Sequence, residues 1–392
     1  MNVHDILFIG AGASALMAAS HLEGHDVALI DSNPKIGAKL LISGGGKCNL
    51  TNRFADSSHY KGDAAFIEAS FKAYDASDTL LFAKKHHLLL EEREHGQVFC
   101  ANSAKDLVSI LARLSAFCTF YLSTTVLHVK KENHFIVTTT QGEIRAKKLI
   151  VASGGLSYAS IGASDIGYKI AQTFGHTLQT PSPALVGLTL QKEQFWMKEL
   201  SGIAMPVCIN IEGKNFCENL LFAHKGISGP SVLSASLYWQ KGALSIDFLP
   251  HIKRMDVVFK TNASKQITTA LGLPKRFTKA FLDASGIEDK VISKLTPREK
   301  EILLTLKTYT FAPAGNFGYT KAEVTRGGVS THEINPQSFE SLKCENLYFI
   351  GEVLDVTGEL GGFNFQWAFT SALRLSKDFF DTVKVLKLKG SE

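Results

Sequence analysis

DILFIGAGASALMAASHLEGHDVALID, residues 5–31, is the stretch on which the fold turns. Residues 5–9 are a short apolar run closed by glycine, the pattern of a strand buried on both faces of a parallel sheet. Gly10 permits a tight turn, Gly12 lets the backbone approach a diphosphate, and Ala15 stands where a small residue allows close helix–strand packing. Residues 14–22 have helical composition, so the amides of Ala13 and Ser14 open toward phosphate oxygens. A second strand ends at Asp31, twenty-one residues after Gly10, where a carboxylate can accept hydrogen bonds from a ribose diol. The order strand, glycine turn, helix, strand, acid is far more specific than the glycines alone. It predicts a dinucleotide-binding α/β domain for the adenosine diphosphate part of FAD or NAD, and Asp31 disfavours a ribose 2′-phosphate.

Composition sets the frame around this fingerprint. A chain of 392 residues, with 45% apolar and 20% charged side chains, is long enough for two or three globular domains. A net charge of +5 is small for this length, and no lysine or arginine stripe stands out along the chain. A small-molecule substrate is therefore expected, with no nucleic acid and no membrane among the partners. The cysteines at 48, 100, 118, 208, 217 and 344 form no C-x-x-C pair and no even framework, which argues against structural zinc and a disulfide scaffold. With a first strand that begins directly and no long apolar run, the expectation is a cytoplasmic protein.

A second glycine run, LISGGGKCNLTN at 41–52, suggests a phosphate loop, but not one for ATP. A Walker loop needs glycine where Leu41 stands and a hydroxyl residue where Cys48 stands. The stretch reads as an extended polar loop able to lie along a longer cofactor. Gly44–Gly46 expose backbone amides without side-chain bulk, Lys47 brings positive charge, and Asn49, Thr51 and Asn52 offer hydrogen bonds. Cys48 has no partner cysteine nearby in sequence and reads as a packing residue.

SGGGKCNLTN resembles the signature of the aminoacetone oxidase/BaiN-like family of FAD-binding oxidoreductases. Further blocks carry the resemblance along the chain: VASGGLSYASIGASDIGYKIAQTFGHT at 151–177, FAHKGISGPSVL at 222–233, SIDFLP at 245–250, TRGGVSTHEI, and NLYFIGEVLDVTGELGGFNFQWAFTSA. This sequence departs from the family pattern at Ser153, Ala159, Gly187, Arg326 and Phe363. The resemblance implies FAD as cofactor, with NAD(P)H as a transient reductant or oxygen as oxidant. It implies cofactor contacts from Gly10, Gly12, Ala13, Ser14, Asp31, Lys39, Ser43, Gly45, Gly46, Lys47, Cys48, Asn49 and Thr51. Val126, Ser153, Gly154, Gly155, Gly351, Glu352, Asp355, Gly361, Gly362, Phe363 and Asn364 complete that set.

The C-terminal block also has its own physical logic. Residues 347–350 read as a strand, Glu352 and Asp355 as acceptors for ribityl hydroxyls, and Gly361–Gly362 as the turn into a helix from about residue 365. Free amides at that helix start would stabilise the negative charge of a reduced flavin. An alternating run from 123 to 150, turning at Gln141–Gly142, predicts the β-meander of FAD-binding Rossmann-like folds. The predicted class is thus α/β, a doubly wound parallel sheet with a meander, made by residues 1–187 and 323–392. Residues 188–322 form an inserted substrate or cap domain, β-rich over 188–247 and helical over 252–310, and such an insertion naturally covers the flavin.

His224, Lys47 and Arg326 are the candidate catalytic residues, with His224 as the base, and no metal site is expected. The activity expected is hydride transfer between flavin N5 and a small organic molecule, by amine or amino-ketone oxidation or NAD(P)H-linked reduction. A flavin-dependent nucleic-acid modifier and a non-catalytic flavin protein are the alternatives.

Overall fold

The computed structural model describes residues 3–389 and divides into two units, Met1–Pro183 with Val324–Glu392, and Ala184–Glu323. In the first unit the strand Val3–Ile9 pairs in parallel with Val27–Ile30 on one side and Gly142–Val151 on the other. Thr119–Tyr121 extends the sheet in parallel beyond Val27–Ile30. The long strand Gly142–Val151 serves two neighbours. Its second half pairs in parallel with Leu347–Phe349, and its first half pairs antiparallel with Phe135–Thr139, which continues to Val126–Lys131. This is the expected parallel sheet with an antiparallel meander. Leu7, Phe8, Leu149, Ile150, Leu347 and Phe349 are fully buried, as strands covered on both faces require.

The helix Ala13–Ala19 packs against the long C-terminal helix Phe363–Lys389, and its alanines at 15, 18 and 19 are fully buried. Side chains without bulk let the backbones approach closely enough for the Ser376 hydroxyl to reach the carbonyl of Ala18 at 3.3 Å. Strand 347–349 therefore brings the last helix back onto the first one. Two local expectations change. The C-terminal helix begins at Phe363, directly after Gly362. The glycine-lysine segment is not one extended loop: Ala38–Ile42 is a short helix, Ser43–Gly46 a tight turn, and Asn49–Asn52 a strand paired with Gln97–Cys100. Ala38, Lys39 and Leu40 are good helix formers and Leu40 is buried, whereas Gly44 and Gly45, at φ 54° and 66°, end the helix.

The second unit is built on an antiparallel sheet ordered 309–311, 244–247, 204–211, 214–223, 226–228, 188–189 and 315–316. The helix Pro230–Tyr238 covers the central hairpin, so the β-rich part is not all strand. Four helices follow: Met255–Thr261, Ile267–Ala270, Lys275–Ser285 and Pro297–Leu304. Phe277, fully buried, fixes the third of these by meeting Phe248 at 4.9 Å and Phe222 at 5.8 Å between ring centroids. The sequence argues against a disulfide scaffold, and among the described residues the structure holds a single disulfide, which the cysteine spacing does not announce. Cys208 and Cys217 face each other across the hairpin 204–223 and are bonded, with Cα atoms 4.0 Å apart. Antiparallel register, not a C-x-x-C spacing, makes the pair.

Phe277→Ala should lower stability by about 3–5 kcal/mol through lost burial and a residual cavity. A shift of the denaturation midpoint monitored at the second unit's tryptophans checks this, and a change below 1 kcal/mol, well under the usual range for such truncations, would contradict the anchoring role.

Candidate functional site

The fingerprint turn is held by its own acid. Ala11 N–H donates to Asp31 Oδ2 at 2.8 Å, and the Asn33 backbone and side-chain N–H groups donate to Oδ1 at 2.8 and 2.9 Å. Thr124 N–H donates to the Asp31 carbonyl at 2.9 Å, which draws the start of the meander, two residues before Val126, to the same corner. Gly10 has φ 107°, and a Cβ there would stand 2.5 Å from the Ala152 carbonyl oxygen, so glycine is required. Gly12 differs: nothing lies within 4 Å of where its Cβ would stand. Ser14 is buried against Gly351, where a Cβ would lie 2.7 Å from the Ser14 hydroxyl.

Next to Gly351, Glu352 joins three distant segments. Its Oε2 accepts from Lys39 Nζ at 2.7 Å and its Oε1 from Thr325 N–H at 2.8 Å. Gly155 passes close to both partners, a Cβ there being 2.6 Å from Thr325 Oγ1 and 3.0 Å from Glu352 Oε1. Thr325 Oγ1 in turn accepts from the Leu156 N–H at 2.8 Å. Gly154 opens outward, with only Glu352 Oε2 at 3.9 Å from a notional Cβ, and Ser153 precedes it on the same turn. Lys39 and Glu352 are thus each other's partners, 313 residues apart.

The glycine-lysine strand meets the start of the C-terminal helix. Thr51 Oγ1 donates to Gln366 Oε1 at 2.6 Å, and Asn52 Nδ2 donates to the Gly361 carbonyl at 3.0 Å. A Cβ on Gly362 would stand 2.3 Å from the Thr51 carbonyl oxygen and 2.8 Å from Asn49 Oδ1. Thr51 is fully buried and its hydroxyl is taken up by Gln366, so it acts on the framework. Asn364 closes the loop by accepting from Gly358 N–H at 2.9 Å. The Phe363 ring turns into the core, stacked on His59 at 4.6 Å and buried. Ser43 caps its own helix end by donating to the Leu40 carbonyl at 2.8 Å.

Cys48 is buried, and a cysteine distant in sequence lies against it. Strand pairing of 49–52 with 97–100 brings Cys100 against it, and the Cys100 N–H donates to the Cys48 carbonyl at 3.2 Å. The neighbouring Cys100 thiol and burial push the Cys48 thiol well up, while the same contact draws Cys100 down. Cys48 is a protonated, buried thiol.

The candidate catalytic residues lie apart in kind. Lys47 is half-exposed, and Glu91 neutralises its ammonium at 2.9 Å. Arg326 donates to the Ser182 hydroxyl at 2.9 and 3.2 Å. Burial pushes Asp355 up, and the charges of Arg326, Lys61 and His332 partly oppose this. His224 belongs to the second unit, exposed with Lys225 in the two-residue turn between Lys214–Ala223 and Gly226–Ser228. The next helix starts at Pro230. Among the described residues no group of His, Cys, Asp and Glu is arranged to hold a metal, and no helix is long and apolar enough to cross a membrane.

The family model for the HI0933-like protein Rossmann domain matches residues 4–378. The chain belongs to this HI0933-like FAD-binding Rossmann family. It is 38% identical, over 96% of its length and 98% of the relative's, to the ribosomal RNA dihydrouridine synthase of Escherichia coli strain K12. It is 30% identical, over 94% of its length and 97% of the relative's, to a 3-dehydro-bile acid delta(4,6)-reductase of Clostridium scindens. Among solved structures, the Mycobacterium smegmatis Sdh1 complex in the apo form shares the fold at 14% identity, with a TM-score of 0.50 over 98% of this chain and 69% of that one.

The residues present fit FAD. A Cβ on Gly12 or Gly45 would meet nothing within 4 Å, and one on Gly46 or Gly154 only a single oxygen at 3.9 Å, leaving the room that a long ligand running close to the backbone requires. Asn49 Oδ1 is buried without a hydrogen-bond partner, an acceptor suited to a ribityl hydroxyl or the flavin N3–H. Gln366, Thr325 and Cys100 were not singled out from sequence. Gln366 and Thr325 stand inside quoted blocks, but only the fold reveals that Gln366 takes up the hydroxyls of Thr51 and Thr79 and that Thr325 accepts from the Leu156 N–H.

Gly12→Val and Gly362→Ala should separate cofactor from framework. Gly12 has extended geometry (φ −86°, ψ −165°) that valine tolerates, so the protein should fold normally yet purify without flavin. Gly362→Ala places Cβ against a fixed carbonyl and should cost both folding stability, by about 1–3 kcal/mol, and flavin. Absorbance of released FAD and thermal melts read the two effects, and full FAD content in Gly12→Val would displace the cofactor from this turn.

Proposed function

We propose that this protein is an FAD-dependent reductase that saturates a carbon–carbon double bond conjugated to a carbonyl, acting on the uracil ring of uridine in ribosomal RNA. The observation that carries the reading is the 38% identity that runs through both units, with 98% of the ribosomal RNA dihydrouridine synthase covered. The relative at 30% identity also bears a reductase name, and a shared chemistry connects the two. In uracil, as in a dienone, the bond to be reduced is polarised by a conjugated carbonyl. Reduction is therefore favoured over the amine oxidation that the sequence left open.

FAD, when bound and reduced, supplies a hydride for the β carbon of such a system, and a proton completes the α carbon. The chain's own part is to hold, neutralise and orient. Gly12 to Ser14 would hold the diphosphate, Asp31 the ribose, and Gly44–Gly46 with Gly361–Asn364 the ring system. The first N–H groups of the helix Phe363–Lys389 would stabilise negative charge on the ring. Glu352 is neutralised by Lys39, and Lys47 by Glu91, so neither carboxylate opposes an anionic reduced cofactor. We assign the reductant to NADH or NADPH visiting transiently, and His224 is the side chain to test for proton delivery.

Anaerobic incubation of the flavin-loaded protein with NADPH or NADH and unmodified ribosomal RNA should convert a uridine to dihydrouridine. Nuclease digestion and mass spectrometry would register the gain of two hydrogen atoms. Reoxidation of the flavin by a steroid dienone, with RNA left unchanged, would instead assign the protein to small-molecule reduction.

A further inference from the structure

Charge is divided very unevenly between the two units. Ala184–Glu323 carries eighteen lysines and arginines against twelve aspartates and glutamates, a balance of +6, whereas the rest of the chain, twenty-four against twenty-five, stands at −1. Within the second unit the excess is confined to the helical part. Residues 251–300 hold eleven basic and five acidic side chains, and the remainder of the unit balances at seven against seven.

Few of these cations are neutralised locally. Arg254 pairs with Asp256 and Lys290 with Glu299, and Asp289 accepts from the Thr268 hydroxyl at 2.7 Å. Lys253, Lys260, Lys265, Lys275, Lys279 and Lys294 are exposed and have no ion pair or side-chain hydrogen bond among the described residues. The backbone holds them in place. Lys275 and Lys279, one helical turn apart, stand on the outer side of the helix whose inner side buries Phe277, Phe281 and Leu282. A bridge between Gln266 and Val291, with Ile292 N–H donating to the Lys265 carbonyl at 3.0 Å, puts Lys265 beside the turn that carries Lys294.

Unpaired, exposed ammonium groups spread over several helices and turns do not suit one small anion, which prefers convergent donors. They suit a polyanion, whose successive phosphates each meet a cation and release a counterion. Resting on the reading of ribosomal RNA as substrate, we propose that the helical face of residues 251–300 docks the RNA phosphate backbone. The nucleobase chemistry is the first unit's concern, and this face supplies affinity without sequence preference.

The test uses the full-length, flavin-loaded protein and a fluorescein-labelled single-stranded fragment of ribosomal RNA, followed by anisotropy over a range of salt. The wild type should bind with a steep salt dependence. The triple variant K275Q/K279Q/K294Q should bind at least about tenfold more weakly, with the slope of log K against log salt reduced by about two to three. FAD content and the rate of flavin reduction by dithionite should not change. Equal affinity and slope in the variant would overturn the docking face, as would a wild type that binds phosphatidylserine vesicles and not RNA. Dihydrouridine formation is scored separately. If it persists at the wild-type rate in a variant that binds RNA as well as the wild type, the docking face fails and the uridine reading stands. If RNA binds through these lysines but no uridine is reduced, the face stands and the uridine reading fails.

Discussion

The contact between Thr51 and the start of the C-terminal helix is the constraint from which the cofactor unit follows. The Thr51 carbonyl lies so near Gly362 that a single methyl group would collide with it, and the Thr51 hydroxyl is fixed by Gln366. Gln366 also accepts from Thr79 at 2.8 Å, so one buried amide ties together three segments that are far apart in sequence. A buried carbonyl oxygen with two hydroxyl donors is well satisfied, and its loss would leave both hydroxyls unpaired. Through this contact the tight glycines at 44–46 and at 361–362 become parts of one wall.

Around that wall, charge is arranged by cancellation. Lys39 and Glu352 meet at 2.7 Å, Lys47 and Glu91 at 2.9 Å, and Asp31 accepts from the amides of its own turn while keeping acceptor capacity for a ribose hydroxyl. What is left to act on an anionic ligand is the set of backbone amides, which carry fixed dipoles and need no reorganisation. The buried Cys48 thiol fits the same pattern: pushed well up by its contact with Cys100 and by burial, it adds no charge beside the glycines.

Much of this was legible in the sequence, because the signals are local. The turn at Gly10 and Gly12, the acid at Asp31 and the meander turn near Gln141 each follow from a few adjacent residues. What was not legible depends on pairing across long separations. Nothing near Cys48 announces Cys100, and nothing near Thr51 announces Gln366. The helix at Ala38–Ile42 was hidden because flanking glycines dominate the composition there. The disulfide was a matter of counting: Cys208 and Cys217 are equidistant from the turn at Glu212–Gly213, and antiparallel register makes equidistant residues neighbours.

The overall charge of +5 hides a related feature, since a sum erases its own distribution. A near-neutral cofactor unit and a unit at +6 give the same total as a uniformly mild protein, but they act differently on a polyanion. At physiological ionic strength exposed charges sense one another over only about 8 Å. An approaching phosphate chain therefore responds to the local face and not to the whole molecule. On the docking proposal, clustering of unpaired lysines on 251–300, at an unchanged total, would turn a weak general bias into a binding surface.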